Sequence, residues 1–532
     1  MTDKSSVSQL SAGQVDEIEA VVTSHPQVHS AVVVTREDRA GNRRLVSYVV
    51  PADNVPQDDS EPADNTKVGD LVAQWRRLYD DMYTDTEFVP DTHFGALEAD
   101  FSGWNSSYTG TKIPVEDMRQ WRASTVARIR ALKPSRVLEI GVGSGLLMSH
   151  LADDCEEYRG TDLSPVTISN LRDRVKQANV PWGDRVHLRV AEGTDTTGMP
   201  DEYFDTVIIN SVVQAFPGHT YMRRVIEQGM RVLAPGGSFY IGDVRNLSLL
   251  EEFRTAVQLA RTPSADAAKV RTRVRRAVAA EQELLLSPEY FLASAKELPD
   301  IAGIDIQLKR STVINEMTRY RYDVVLHKAP ARAHSLAAVP RVVFADLAAR
   351  DLEQFGGHLE RILGGRPGAS LRVTDIPHGG LAAEVAAAQS IRSGHPVPIV
   401  AAPGGGERTD VGWLPEDLHL LAERLGLTVV VTWSATPDRM DAVFLGPEAI
   451  PATDTGKRVL TDVYEAQEPV GPSSRYANYP KASLLAAEVR RFVGEQVAGD
   501  LVPAEVVIVD EIPLTADGEL DHAALPVPQF AA

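Results

Sequence analysis

Cysteine is nearly absent from this sequence: Cys155 stands alone among 532 residues. That excludes an intrachain disulfide framework and fits a reducing compartment. Metal-ligand spacing is missing as well. The 13 histidines are scattered, no His-Glu-x-x-His occurs and no Cys/His pairs stand at zinc spacing, so no metal is expected. No run of 18 apolar residues is present, which leaves no membrane-spanning helix. Positive charge is in the minority, with 54 Lys and Arg against 74 Asp and Glu and a net charge of −20. General binding to nucleic acid or to an anionic membrane is disfavoured, while a small basic docking patch remains compatible. The opening Met-Thr-Asp-Lys-Ser-Ser is polar and carries no apolar core, so no signal peptide is expected. With no signal peptide and no membrane span a cytoplasmic protein is expected, and with no internal repeat and no heptad run a monomer.

The length suggests two to four domains, and 43% hydrophobic residues suffice for real cores. One stretch organises the chain. Val137-Leu138-Glu139-Ile140 reads as a buried strand ending near an acid, followed by Gly141, Gly143 and Gly145 and then the apolar Leu146-Leu147-Met148 of a helix start. Glycines let the backbone turn tightly and a ligand come close. A following helix start adds free N–H groups and the positive end of a dipole. A strand, a glycine loop and a helix start make a cofactor cradle.

Later elements sharpen the reading. A second strand ends at Asp162, 21 residues after Gly141, close to the roughly 20-residue spacing at which such an acid reaches ribose hydroxyls. A polar turn holds Glu192 and Gly193 after strand 186–190. A fourth strand covers 204–211, and Val232-Leu233-Ala234-Pro235-Gly236-Gly237 ends a helix and feeds strand 238–242. The spacing G-x-G-x-G differs from the G-x-G-x-x-G of dinucleotide folds, though by itself that difference is a weak discriminator.

This order of elements resembles class I methyltransferases that use S-adenosylmethionine. The resemblance implies an α/β, Rossmann-like fold with a mostly parallel sheet. It implies that Glu139, Gly141, Gly143 and Gly145 flank the amino-acid end of S-adenosylmethionine, that Asp162, with Leu163 beside it, holds the ribose, and that Glu192 and Gly193 lie by the adenine. Asn210 and Ser211 end the fourth strand beside that cradle. Trp104 and Tyr108, in a polar, aromatic loop at 101–114, are candidates for a lid over cofactor or substrate; the plain alternative is a hydrophobic anchor for that loop.

The flanks read differently. Residues 14–24 have helical apolar spacing. Residues 29–35 and 45–50 read as strands joined by a turn around Ala40-Gly41-Asn42. A Pro/Asp/Asn/Ser stretch at 51–67 reads as a linker. Near the other end, 484–497 reads as a helix and 505–510 as a strand. The segment 15–50, together with Ile512-Pro513-Leu514-Thr515-Ala516-Asp517-Gly518-Glu519-Leu520-Asp521, resembles the small C-terminal subdomain of a nonribosomal peptide synthetase adenylation domain, split in two. In that family the position of Glu519 is a lysine that grips carboxylate and phosphate. A glutamate there repels both anions. A Ser/Thr/Gly-rich phosphate loop and the large adenylation core are missing, so adenylation is not expected.

The expected division is thus 1–50 and 481–532 as the two parts of the split α+β subdomain, linkers at 51–67 and 447–480, and a methyltransferase domain at 68–446. Within that insert, 75–83 and 115–132 read as helical and 249–286 as a helical, charge-rich stretch. Two strands follow at 304–309 and 320–327. Residues 331–406 are less regular, with strand-like 341–346 and 370–374 and a loop at 403–406. Helix 415–425 then precedes an antiparallel pair, 428–433 and 441–445.

The strings Trp104–Gly110, Ile113–Arg122, Val137–Leu147, Gly160–Pro165, Asn210–Gln214, Gly242–Leu247, Asn315–Pro330 and Asp441–Phe444 occur in order. Together they resemble the N-methyltransferase domains inserted in adenylation domains of nonribosomal peptide synthetases. That family methylates the α-amine of an aminoacyl thioester on a carrier protein. The resemblance implies an aminoacyl carrier protein as partner, with a separate adenylation protein to load it. A free α-amine titrates at about 7.7–8.0, so a useful neutral fraction exists without a strong base, and the protein mainly has to hold nitrogen, methyl and sulfur in line. A polar acceptor near the amine would orient it.

Candidates for that role are Asn210, Gln214, Asp243, Asn246, Glu316 and Tyr320. Each has a structural alternative: a turn residue for Asn210, an exposed helical residue for Gln214, an ion pair with Arg245 for Asp243, a solvated turn acid for Glu316 and a core aromatic for Tyr320. Three functional readings stay open: the carrier-dependent N-methyltransferase, a methyltransferase acting on a free amino acid, small amine or thiol, and a docking module that does no chemistry.

Overall fold

The computed structural model describes residues 12–37, 43–52, 72–73, 75–76, 101, 103–262, 266–298, 300–331, 333–364, 366, 368–395, 412–450, 459–465, 471–478, 480–509, 512–515, 517–526 and 528. The turn expected at Ala40-Gly41-Asn42, nearly all of linker 51–67, most of helix 75–83 and the loop at 403–406 lie outside the described residues.

Seven strands build the central sheet: β1 (Arg136–Ile140), β2 (Glu157–Asp162), β3 (Val186–Val190), β4 (Phe204–Asn210), β5 (Leu233–Arg245), β6 (Ile301–Leu308) and β7 (Arg321–Lys328). Their spatial order is β3-β2-β1-β4-β5-β7-β6. The first five run parallel. β7 inserts antiparallel between β5 and β6. The order reverses between β1 and β4, and in open α/β sheets a ligand crevice forms outside the carboxyl ends of strands at such a switch point. β1 shows why it sits at the centre: Val137, Leu138, Glu139 and Ile140 are all buried, the near-continuous apolar run of a strand covered on both faces.

Helices cover both faces. Pro165–Ala178 starts cleanly because the Ser164 hydroxyl accepts the Thr167 N–H and a proline occupies the first turn, which supplies an orphan donor's partner and a preset φ. Its Ile168, Leu171 and Val175 pack with Val137, Tyr158 and Ile208. On the other face, His219–Val232 buries Met222, Val225, Ile226 and Met230. Each such side chain contributes about 1.5–3 kcal/mol by leaving water. Truncating Ile226 to Ala would cost about 2–5 kcal/mol.

Besides a two-stranded pairing of His334–Ser335 with Leu460–Thr461, two larger sheets attach. The first has four strands in the order Arg341–Val343, Ser370–Pro377, Arg439–Leu445, Thr428–Trp433. Its Val373 and Phe444, with Phe355 and Leu359 of helix Leu352–Leu363, share one continuous core with Phe204, Ile209 and Tyr322 of the central sheet. The second joins the ends of the chain: Val28–Glu37 pairs antiparallel with Arg43–Pro51, which pairs parallel with Glu505–Ile508. Helices Ala12–Thr23 and Lys481–Gly494 cover it over a core of its own.

Several elements differ from expectation. The helical stretch at 249–286 is two helices, Leu250–Arg261 and Ala267–Ala279, followed by an irregular return. The less regular 331–406 contains helices Leu352–Leu363 and Ala382–Ser393. The pair Gly356-Gly357 and the alanine run at 382–388 obscured their apolar stripes, and burial of Phe355, Leu359, Val385 and Ile391 decides them. The stretch 447–480 is not a free spacer where it is described. Leu460–Thr461 pairs with His334–Ser335, and Val459, Leu460, Val463 and Tyr464 are buried. Pro/Gly composition forbids long regular elements there, but four apolar side chains still pull the segment inward.

Candidate active site

The cleft at the switch point is lined by Glu139, Gly141, Gly143, Asp162, Leu163, Gly193, Asn210 and Ser211 of the expected cofactor set, with Trp104 as a wall. On one side the backbone itself forms the cradle. Gly141 and Val142 donate their N–H groups to the Thr161 carbonyl at 2.8 and 2.9 Å. Asp162 Oδ2 accepts the Gly143 N–H at 3.0 Å and Oδ1 accepts the Ser164 N–H at 2.9 Å. The acid expected to hold a ribose therefore also pins the glycine loop. Gly141 has φ of +77°. A Cβ there would stand 2.4 Å from Val212 Cγ2 in the opposite wall, so the loop closes on that wall only with glycine.

Glu139 is 3% exposed and accepts the Tyr158 hydroxyl at 2.8 Å. Burial pushes its carboxyl up to about 8, against the lowering effect of the Tyr158 hydrogen bond and with a further rise from Asp162. Such a group ionises readily once a cation arrives beside it. At the far end, Ala191, Phe216, Pro217 and Tyr221 form an apolar slot beside Gly193, with Phe216 and Tyr221 at 5.0 Å. Val72 and Trp75 line the cleft as well. Glu192 lies outside the lining and pairs loosely with Arg76 at 3.8 Å.

The opposite wall is made of side chains. Asp243 is fully buried, with φ of +64° at an irregularity in the pairing of β5 with β7. It belongs to the strand and does not merely follow it. Its carboxylate accepts Ser211 Oγ at 2.7 Å, Trp121 Nε1 at 3.1 Å and Arg321 at 2.6 Å. Lys309 stands 3.5 Å away and bridges to Asp323 at 2.7 Å. Burial alone would raise the Asp243 carboxyl; Arg321 and Lys309, with the bonds from Ser211 and Trp121, outweigh it and hold it below the ordinary range. The expected pair of Asp243 with Arg245 is not formed. Arg245 turns to Glu281 at 3.2 Å and to Glu283 at 2.5 Å.

Ser211 is the polar end of this wall. It donates to Asp243 and accepts the Asn210 amide at 3.2 Å. A hydroxyl has one proton and two lone pairs, so Ser211 keeps one lone pair and no proton for a ligand. Asn210 lines the cleft, but its Oδ1 is turned onto the sheet: a Cβ on Gly242 would stand 2.3 Å from it. Only glycine at 242 leaves room for that amide.

Asp243, Lys309 and Arg321 stand behind Ser211 and Trp121 and are not in the lining of this cleft, and the remaining candidates lie outside it as well. Gln214 sits in a short 3-10 turn and donates to the Ser211 carbonyl at 2.9 Å. Asn246 caps the turn at 247–249 by accepting the Ser248 N–H. Glu316 is buried, not a solvated acid, and grips the loop of Trp104, accepting the Ser107 N–H at 2.8 Å and its hydroxyl at 2.9 Å. Tyr320 precedes β7, packs on Phe253 at 5.0 Å and donates to Glu384. Tyr108 is buried and reaches Glu384 at 3.5 Å. Glu384 pairs with Arg319 at 2.8 Å. Tyr108 is thus an anchor, while Trp104 faces the cleft and packs on Trp121 at 5.1 Å and under Arg321 at 5.9 Å. The motif reading missed Trp121, Lys309, Arg321 and the Phe216–Tyr221 slot. Phe216-Pro217 soon after a strand end was the available signal.

The family described as "Methyltransferase domain" matches residues 138–241. Over 96% of its length the chain is 37% identical to a probable non-canonical nonribosomal peptide synthetase, CymA, of Salinispora arenicola, covering 6% of that protein. It is 32% identical over 97% of its length to chondramide synthase of Chondromyces crocatus, covering 13% of it. The chain therefore spans a small fraction of these curated relatives. Among solved structures, the N-methyltransferase NodS of Bradyrhizobium japonicum in complex with S-adenosyl-L-homocysteine aligns with 39% of this chain and 88% of its own, at 15% identity and a TM-score of 0.28.

The cleft fits S-adenosylmethionine. A buried carboxyl at Glu139 suits the ammonium end, the Asp162 carboxylate at the cleft wall suits a diol, and the slot of Phe216, Pro217 and Tyr221 suits a flat purine.

Proposed function

We propose, from the premise that this chain is a class I S-adenosylmethionine-dependent methyltransferase of the kind borne by nonribosomal peptide synthetases, that it methylates the α-amine of an aminoacyl group held as a thioester on a carrier protein. The observation that carries the choice of an amine is the Asp243–Ser211 pair. With its proton given to Asp243 at 2.7 Å, Ser211 offers only a lone pair to the acceptor. It can receive an N–H and cannot donate to the nitrogen, so the nitrogen lone pair stays free.

When bound, S-adenosylmethionine supplies a methyl group on a sulfonium sulfur. The chain's residues do the positioning. Glu139 and the glycine loop fix one end, the apolar slot fixes the other, and Trp104 and Trp121 wall the space in front of Ser211. A neutral amine held by one N–H on Ser211 attacks in line. With S-adenosylmethionine held by Glu139, the glycine loop and the apolar slot, an amine so placed would be positioned to take its methyl group, and the resulting ammonium would give its proton to solvent. Alignment of this kind can supply several kcal/mol. A general base is not required, because an α-amine titrating at about 7.7–8.0 is partly neutral near pH 7.

In this reading the chain does not adenylate. Glu519 is exposed in a tight turn where Leu514 bridges Leu520, and its negative charge opposes the anions an adenylating lysine would grip. A separate adenylation protein loads the carrier. Intact-mass spectrometry of carriers loaded with different amino acids, mixed with this protein and S-adenosylmethionine, tests the proposal. A gain of one methyl on the α-amine is expected for at least one amino acid. Methylation of the free amino acid at the same rate as its thioester would overturn carrier dependence, and methylation at sulfur or carbon would overturn the choice of amine.

A further inference from the structure

Helix Ala267–Ala279 has no part in the site described above, yet its charge is unlike that of the rest of the chain. Its 13 residues hold Lys269, Arg271, Arg273, Arg275 and Arg276 and no acid, in a protein whose net charge is −20. Only one stripe of the helix is buried. Val270, Val274 and Ala277 pack on Leu259 of the preceding helix and on Ala387 and Ile391 of helix Ala382–Ser393. Lys269, Arg275 and Arg276 are exposed.

The position of this face matters as much as its sign. The helix lies directly on Leu250–Arg261, one helix-packing distance of about 8–10 Å. That inner helix touches the loop bearing Trp104: Arg261 donates to the Ser107 carbonyl at 2.6 Å through Nη2, and Phe253 packs on Tyr108 at 6.3 Å. The cationic face therefore stands one layer out from the loop that walls the acceptor end of the cleft.

We infer that the outer face of helix Ala267–Ala279, centred on Lys269, Arg271 and Arg275, docks the acidic surface of the protein domain that presents the tethered acceptor. The inference rests on the carrier-dependent reading given above. An acidic domain approaching a chain of −20 is repelled over most of its surface. A cationic stripe beside the cleft gives it one favourable approach and fixes which way the tether points.

The test compares the wild-type chain with a K269E/R275E double variant, both outward-facing and away from the pocket. Initial rates are measured against the concentration of an aminoacyl-loaded carrier and, separately, of the same aminoacyl group on a short soluble thiol. The variant is expected to raise KM for the carrier about tenfold or more, with kcat and the rate on the small thioester unchanged. Raising the salt should narrow the difference between the two proteins. A carrier KM within twofold of wild type would overturn the docking face while leaving the carrier-dependent reading intact. Failure of the wild type to methylate any loaded carrier while it methylates the small thioester would overturn both. Equal loss on carrier and small thioester would mean that the helix acts on the fold and not on docking.

Discussion

The two walls of the cleft are built by opposite means. The wall from Glu139 to Ser164 is contiguous backbone: N–H groups of Gly141, Val142 and Gly143 meet partners at 2.8–3.0 Å that lie within 25 residues along the chain. The wall from Trp104 to Arg321 is assembled from side chains of five elements around one buried carboxylate, Asp243. The first holds a cofactor whose shape never varies. The second, in the proposed reading, faces the acceptor. A backbone cradle tolerates change around it but not within it, whereas a buried charge cluster fails as a unit when one partner is lost.

The largest effect should come from the second wall. Asp243→Ala leaves Arg321 and Lys309 without their shared carboxylate in a buried site, and is expected to cost about 3–5 kcal/mol of stability, read as a drop in the midpoint of denaturant unfolding. A loss under about 1 kcal/mol would show that the cluster is not a unit. Next comes the first wall. Gly141→Ala places a Cβ against Val212 at φ +77°, with strain of about 1–2 kcal/mol in addition to that clash. Cofactor affinity by calorimetry should fall at least tenfold, with the unfolding midpoint moving less than in Asp243→Ala. Equal affinity would mean that the loop shifts freely and is not a cradle.

Glu139→Gln should weaken cofactor binding about tenfold, roughly 1.4 kcal/mol, and should abolish a proton release. With Glu139 at about 8 in the empty protein, binding of a cationic ligand near pH 7 should expel a proton, measurable as a buffer-dependent heat. The same shift sets a stability trend. The folded carboxyl binds its proton more tightly than the unfolded one, whose value is 4.5, so the stability it contributes is complete below pH 4.5 and is lost as pH rises through about 8. Between those values the empty wild type should lose stability relative to Glu139→Gln; parallel curves would refute the assignment. The smallest effect belongs to the rim. Arg76 and Glu192 are each 43% exposed at 3.8 Å, and such a pair is worth about 0–1 kcal/mol. Arg76→Ala should change cofactor affinity less than about fivefold, and a larger change would make Arg76 itself a cofactor contact.

The contrast also explains what reading the chain could reach. Glu139, the glycines and Asp162 sit in one short span whose spacing reports its own geometry. Ser211 and Asn210 could be placed because they end a strand at the switch point. The partners of Asp243 could not: Trp121, Lys309 and Arg321 are 122, 66 and 78 residues away, and Trp121 by itself is indistinguishable from a core aromatic. Glu316 and Tyr320 looked like chemistry because they are polar and close to the family strings. Their partners, half-buried Ser107 and buried Glu384, give them anchoring work instead. The helices at 352–363 and 382–393 were obscured by glycine and alanine, which carry too little apolar signal to mark a face until a neighbour buries it.

Local sequence by itself determined the glycine turn, the acid spaced to meet it, the strand and helix order of the central sheet and the reversed charge at Glu519. Those depend on φ preferences, apolar period and net charge, all properties of neighbouring residues. Only the tertiary structure decided that Ser211 has no proton to give, that Asp243 is the node of the buried cluster behind it, that the stretch 459–464 packs inward and that one basic helix packs on the helix holding the Trp104 loop. Each of these depends on which distant side chains share a buried space, and a hydrogen-bond direction or a charge's partner exists only once that space is closed.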